Sequence, residues 1–207
     1  MFKTFKSFKP FSDSDVLSGA QRLSGTKWLN GAKRLNAAAL ILLILFAPRF
    51  AFAGRIYTTQ FNAVAVTAQQ DFFEIVAPST AIVIIHDIHC YQTSEAGDAA
   101  EEFLSLLLKS GQTVSGSGGS SGTAVARDFG DAAFGGTLEI NNTTKANTGT
   151  IVTHYNWAWN VRIPFDVIFT PETRPILSPS RRATLELATT PADSITMGCW
   201  VTLESIG

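Results

Sequence analysis

The sequence predicts an all-β domain, an antiparallel β-sandwich of the jelly-roll kind, preceded by a leader that lies outside the domain. Three observations predict it. Short runs rich in β-branched and aromatic residues alternate with period two, the signature of strands half buried in a sheet. Clusters of Gly, Ser, Thr, Asn and Pro separate these runs at short intervals. Residues at helical spacing are almost missing after position 54. Eight to nine strands with such punctuation suit a two-sheet sandwich or a barrel, and an immunoglobulin-like sandwich is the second choice.

The strands follow in order. Residues 56–66 form the first and 71–76 the second. Residues 80–91 carry the strongest signal, introduced by Pro78 and Ser79. Strict alternation there puts Ile82, Ile84, Ile88 and Cys90 on one face and Asp87, His89 and Tyr91 on the other. Residues 98–109 have helix-forming composition. They are short, however, and sit between a strand and a Gly/Ser loop, so a strand over 102–109 is favoured. Residues 116–122 contain only Ser and Gly and read as a flexible surface loop. Further strands cover 137–141, 150–159 and 161–169. Pro171, Pro175 and Pro179 mark an extended loop. Residues 183–188 and 194–204 close the domain, the last with Ile195, Met197, Cys199, Val201 and Leu203 on one face.

The leader, residues 1–53, is basic and ends in an apolar run over 37–47. Ala51 and Ala53 form an A-x-A arrangement before Gly54, which fits signal cleavage. The run is shorter than the roughly 20 apolar residues that span a bilayer, so no stable membrane span is expected in the mature form. A leader of this length exceeds the usual signal of about 15–30 residues. Phe2, Phe5, Phe8 and Phe11 also recur every third residue among Lys3, Lys6 and Lys9. A start assigned too far upstream is therefore the competing explanation, and an uncleaved anchor is a third.

Charge divides at the same boundary. The leader holds eight of the 16 Lys and Arg residues and two of the 17 acids, leaving eight basic and fifteen acidic residues after position 53. An acidic domain disfavours phosphate backbones, because affinity for nucleic acid rests on basic side chains displacing counterions. No direct nucleic-acid contact is expected. Residues 54–207 make one domain of ordinary size, long enough to bury a core.

Candidate chemistry is sparse. His86 and His89 would share a face only on a helix; on a strand they point apart, so no metal site is expected. Asp87 and His89 share a face and suit an exposed hydrogen-bonded pair. Tyr155, Trp157 and Trp159 share one face of their strand, with His154, Asn156, Ala158 and Asn160 on the other. Such a ladder is a stacking platform for sugars if exposed and core if buried; the polar opposite face favours core. Cys90 and Cys199 both fall on apolar faces. Free buried thiols are the simpler reading, and a Cys90–Cys199 bridge becomes worth testing if the chain is exported. No nucleophile elbow or phosphate-cradling loop is present, and no catalytic residue or cofactor is assigned.

A set of strings in residues 54–207 resembles a family of small, mostly uncharacterised proteins of tailed bacteriophages and prophages. They are Arg55-Ile56-Tyr57, Phe61 to Ala68, Gln70 to Ile75, Gly97 to Glu102, Ser115 to Gly119, Asn141 to Thr144, Asn160-Val161-Arg162, Thr170-Pro171-Glu172 and Pro191 to Met197. The leader has no counterpart there, and the aromatic run 155–159 is richer than the family pattern. The resemblance implies a non-enzymatic virion component of the capsid-decoration type, located in the virion, acting through contacts with itself or other virion proteins. The alternative is an exported bacterial surface or carbohydrate-binding module, secreted or periplasmic, using Tyr155, Trp157 and Trp159.

Overall fold

A computed structural model describes residues 54–94 and 102–207. Ala51 and Ala53 of the proposed cleavage site lie outside the described residues; Gly54 is the first inside. The described chain is all-β: β1 (Arg55–Val66), β2 (Gln70–Val76), β3 (Ile82–Gln92), β4 (Phe103–Gln112), β5 (Ser120–Ser121), β6 (Val125–Ala126), β7 (Thr137–Asn142), β8 (Gly149–Asn160), β9 (Phe165–Ile168), β10 (Ile176–Leu177), β11 (Arg182–Leu187) and β12 (Ile195–Ile206). The ambiguous stretch after residue 102 is a strand, as its place between strand and loop suggests. Among these residues no helix is long and apolar enough to cross a membrane.

Two six-stranded antiparallel sheets form. One has the order β10-β3-β12-β1-β6, with β9 also on β3; the other runs β5-β7-β2-β11-β4-β8. The pairing is nested. First pairs with last (β1 with β12) and second with second-last (β2 with β11), while β3 and β4 take the far sides of β12 and β11. The first four strands therefore alternate between sheets. The core lies between them, where Phe61 of β1 meets Phe72 and Phe73 of β2 with ring centroids 5.4 Å apart in each pair.

Bulges correct the sequence expectation in two strands. In β3, Asp87 pairs Thr202 but Ile85 pairs Leu203, so His86 is an extra residue. One extra residue reverses the facing of everything beyond it. Val83 and Ile85, rather than Ile82 and Ile84, join Ile88 and Cys90 inside. In β2, Asp71 pairs Glu186 while Phe73 pairs Leu185, making Phe72 the extra residue. Phe72 and Phe73 are then both fully buried, and Asp71 and Glu74 emerge on the same outward face. Two further corrections are local. The strand expected over 161–169 shrinks to β9, because Asn160 folds the chain into a turn, accepting hydrogen bonds from the backbone N–H groups of Arg162 and Ile163. The Ser/Gly stretch 116–122 is pinned rather than free, with Ser120 and Ser121 paired to β7 and Ser117 bridged to Thr144.

Cys90 and Cys199 stand directly opposite across β3 and β12 and form a disulfide. It ties strands 109 residues apart in sequence, so it restricts the unfolded chain strongly. Replacing both cysteines by Ser should lower unfolding free energy by about 2–4 kcal/mol. Denaturant melts of the two proteins check this, together with an unreduced mass lighter than the reduced one by two hydrogens; equal masses would refute the bond.

Candidate interaction surface

The feature most open to a partner is the edge formed by β8. This strand ends its sheet, and among the described residues nothing pairs with its outer side. Its twelve residues, Gly149 to Asn160, contain no Lys, Arg, Asp, Glu or Pro. Those are the usual devices that keep one edge strand from adding to another. Two register breaks against β4 distort the first half of β8. From Tyr155 to Asn160 the register is unbroken against Phe103–Leu108, leaving six regular residues at the open edge. Phe103, opposite Asn160, and Ile163, just beyond it, are 60% and 61% exposed.

The other face of β8 is spoken for. Trp159 is 2% exposed, and its indole N–H donates to the Ile163 carbonyl at 2.7 Å. Tyr155 and Trp157 stack in parallel at 5.1 Å, and Trp157 meets Phe165 edge-on at 5.5 Å. The Tyr155 hydroxyl donates to the Thr173 carbonyl at 2.8 Å. The ladder thus closes the gap between the two sheets. The three rings do not form an open platform: Trp159 is buried, while Tyr155 and Trp157 are half-buried and pack on each other and on Phe165 and Phe169, as the polar opposite face suggested.

His86 and His89 sit on the outside of the opposite sheet, on one face rather than pointing apart, because His86 is the extra residue of the β3 bulge. His86 meets Glu204 at 2.7 Å. His89 lies over Trp200, with ring centroids 4.6 Å apart, and its Nδ1 meets Asp166 at 2.5 Å. Asp87, the partner expected from sequence, is farther, at 3.5 Å. Asp166 and Trp200 carry no such signal in the sequence, since they reach His89 from β9 and β12. Among the described residues no group of three His, Cys, Asp or Glu side chains could hold a metal.

A second cluster, also unforeseen, lies on the outward face of the β8 sheet. Asp71, Glu74, Lys109, Gln112, Asn142, Thr184 and Glu186 are all buried. The segments after β4 and β7 cover them. Glu74 accepts from the Ser115 hydroxyl at 2.6 Å and the Gly116 N–H at 2.9 Å. Asp71 accepts from the Ala146 N–H at 2.7 Å, and Glu186 is held by Lys109 and by Lys145. Burial, outweighing the Ala146 N–H and the nearby Lys109, pushes the Asp71 carboxyl up to about 6. Burial also pulls Lys109 below its ordinary value. The only advance signal was charge inside otherwise apolar strands.

Comparison with known protein families, with curated proteins and with solved structures returned no match. The site is therefore read from its geometry alone.

The Asp71 shift fixes a pH dependence. A carboxyl that ionises near 6 when folded and near 3.8 when unfolded keeps its proton more readily in the fold. Its contribution is full below pH 4 and lost as pH rises through 6, a change of up to about 3 kcal/mol. Asp71→Asn does not titrate. Its stability relative to the parent should climb between pH 4 and 7 and then level off, as urea melts at several pH values would record. A pH-independent difference would contradict the buried-carboxyl account.

Proposed function

We propose that residues 54–207 are a non-enzymatic structural protein of a phage-type virion, decoration-like, that works by assembly. The observation carrying the assembly reading is the open, uncharged and regular edge at residues 155–160. Its occupant in this reading is a second copy of the chain. Two such edges run antiparallel about a twofold axis and extend one sheet across two subunits. The chemistry suits this pairing: an acidic domain repels its own copy, and an edge without charges is where two copies approach at least electrostatic cost.

A jelly roll belongs to the same proposal. The nested order supports it, with β1, β12, β3 and the β9/β10 pair facing β2, β11, β4 and β8. Jelly rolls recur in viral shells and in lectins, so the fold does not choose between the two readings. The inward-facing ladder weighs against the exported sugar-binding alternative.

The test is the mass of the full chain by analytical ultracentrifugation. The parent should associate reversibly. Asn156→Lys and Ala158→Lys, both at exposed positions, should shift it to monomer while its melting temperature stays within about 2 °C. A parent that stays monomeric at concentrations on the order of 100 μM would refute pairing between copies. Association that survives both lysines would move the contact elsewhere. Mass spectrometry of purified particles tests the virion location, since peptides from 54–207 must be present there.

A further inference from the structure

A cavity of about 740 Å³ opens where the distorted ends of β4 and β8 meet the 172–178 loop and the start of β11. This lies in the range of sites that hold small molecules. Leu108, Leu177 and Ala183 contribute apolar wall, and Tyr155 adds an aromatic one. What sets it apart is charge. Lys109, Arg174, Arg181 and Arg182 all line it. They are four of the eight basic residues in an acidic domain. Glu172 is the single carboxylate among the lining residues.

The four cations are not equivalent. Lys109 is paired with Glu186, and Arg182 meets Glu74 at 2.6 Å. Arg174 and Arg181 form no ion pair among the described residues, apart from a weak attraction between Arg174 and Glu172. The Nε of Arg174 is buried and makes no hydrogen bond there. A buried guanidinium nitrogen without an acceptor is costly unless a ligand supplies one. Glu172 does not supply it. Its carboxylate is occupied within its own turn, held chiefly by its own backbone N–H and then by the Thr170 side chain.

We propose that this cavity binds a small organic anion, a ring-sized body bearing one carboxylate or phosphate group. The oxyanion sits between Arg174 and Arg181, whose planar forks match carboxylate and phosphate oxygens. The ring lies against Leu177, Pro175 and Tyr155. His154, with its Nε2 2.7 Å from the Ser110 hydroxyl, is at the cavity wall and adds a polar contact for ring substituents. The proposal is independent of subunit pairing, since the cavity is built within one chain.

Calorimetric titration of the full chain tests it with four probes: galacturonate, glucose 6-phosphate, inorganic phosphate and neutral glucose. The two ring anions should bind, glucose should not, and inorganic phosphate should bind more weakly for want of a ring. Arg174→Gln and Arg181→Gln should each weaken binding about tenfold or more. Arg55→Gln, on β1 of the other sheet and outside the cavity lining, should leave binding unchanged and so controls for net charge. Preference for galacturonate identifies a carboxylate-bearing ligand, and preference for glucose 6-phosphate a phosphate monoester. No binding of either at concentrations on the order of 10 mM would overturn the proposal. So would equal binding of glucose, or equal loss in all three variants. A circular-dichroism melt of each variant separates a lost contact from a lost fold.

Discussion

The register of β12 against β3 is the constraint on which the rest of this domain depends. β12 runs through the middle of its sheet, and every second residue from Ile195 to Leu203 is buried. A slip of one position against β3 would turn those five side chains outward and separate Cys199 from Cys90. It would also lift Trp200 from under His89 and move Glu204 away from His86. The disulfide locks this register at its centre, and β1 repeats it from the other side with a bulge of its own. There Ala63 adopts φ 55°, between the pairs Phe61–Cys199 and Val64–Met197. Gly198 faces that bulge because a Cβ would meet the Tyr91 ring at 2.5 Å. With Gly there, Tyr91 lies flat across the sheet and donates its hydroxyl proton to Asn62.

The second sheet solves a different problem. Its outward face carries Asp71, Glu74, Lys109 and Glu186, which water would normally cover. Instead the segments after β4 and β7 fold over it. Their glycines are required by closeness as well as by conformation: a Cβ on Gly119 would meet the Ile140 carbonyl at 2.2 Å, and Gly118 has φ +83°. Each buried carboxylate then takes backbone N–H groups or cations from the cover. Such a network adds less to stability than apolar packing would, since desolvation offsets much of the attraction. Its effect is to fix where the cover lies. That placement sets the Ser/Gly stretch against β7 and leaves the opposite edge, β8, open.

How much of this was legible in the sequence follows from how local each signal is. The alternation in residues 194–204 is local, and the structure follows it position by position, because no bulge interrupts β12 itself. The same rule applied to residues 80–91 put Ile82 and Ile84 inside. It failed because the extra residue at His86 is visible only once β12 is laid alongside. The Ser/Gly stretch looked free for a related reason. Its anchors, Glu74, Thr144 and residues 138–140 of β7, lie outside the segment, and composition alone reports only what the segment lacks. The aromatic ladder was ambiguous in principle, since spacing shows that Tyr155, Trp157 and Trp159 share a face but not what faces them. Phe165 and Phe169 decide that. The arginines of the cavity carried no pattern whatever, since the pairing of β11 with β4 brings Arg181 and Arg182 to Lys109 and Arg174 arrives separately from the loop before β10.

Charge ties the two proposed contacts together. Fifteen acids against eight bases should spread a repulsive field over the domain, yet β8 has no Lys, Arg, Asp or Glu along its length and four of the bases gather at one cavity beside it. A field of one sign acts against non-specific association everywhere except where it is locally cancelled. The edge cancels it by neutrality, so a like copy approaches there in the orientation that pairs backbone with backbone. The cavity cancels it by excess positive charge, so a small anion enters where a second acidic domain cannot follow. Tyr155 belongs to both, since its backbone lies on the open edge and its side chain lines the cavity.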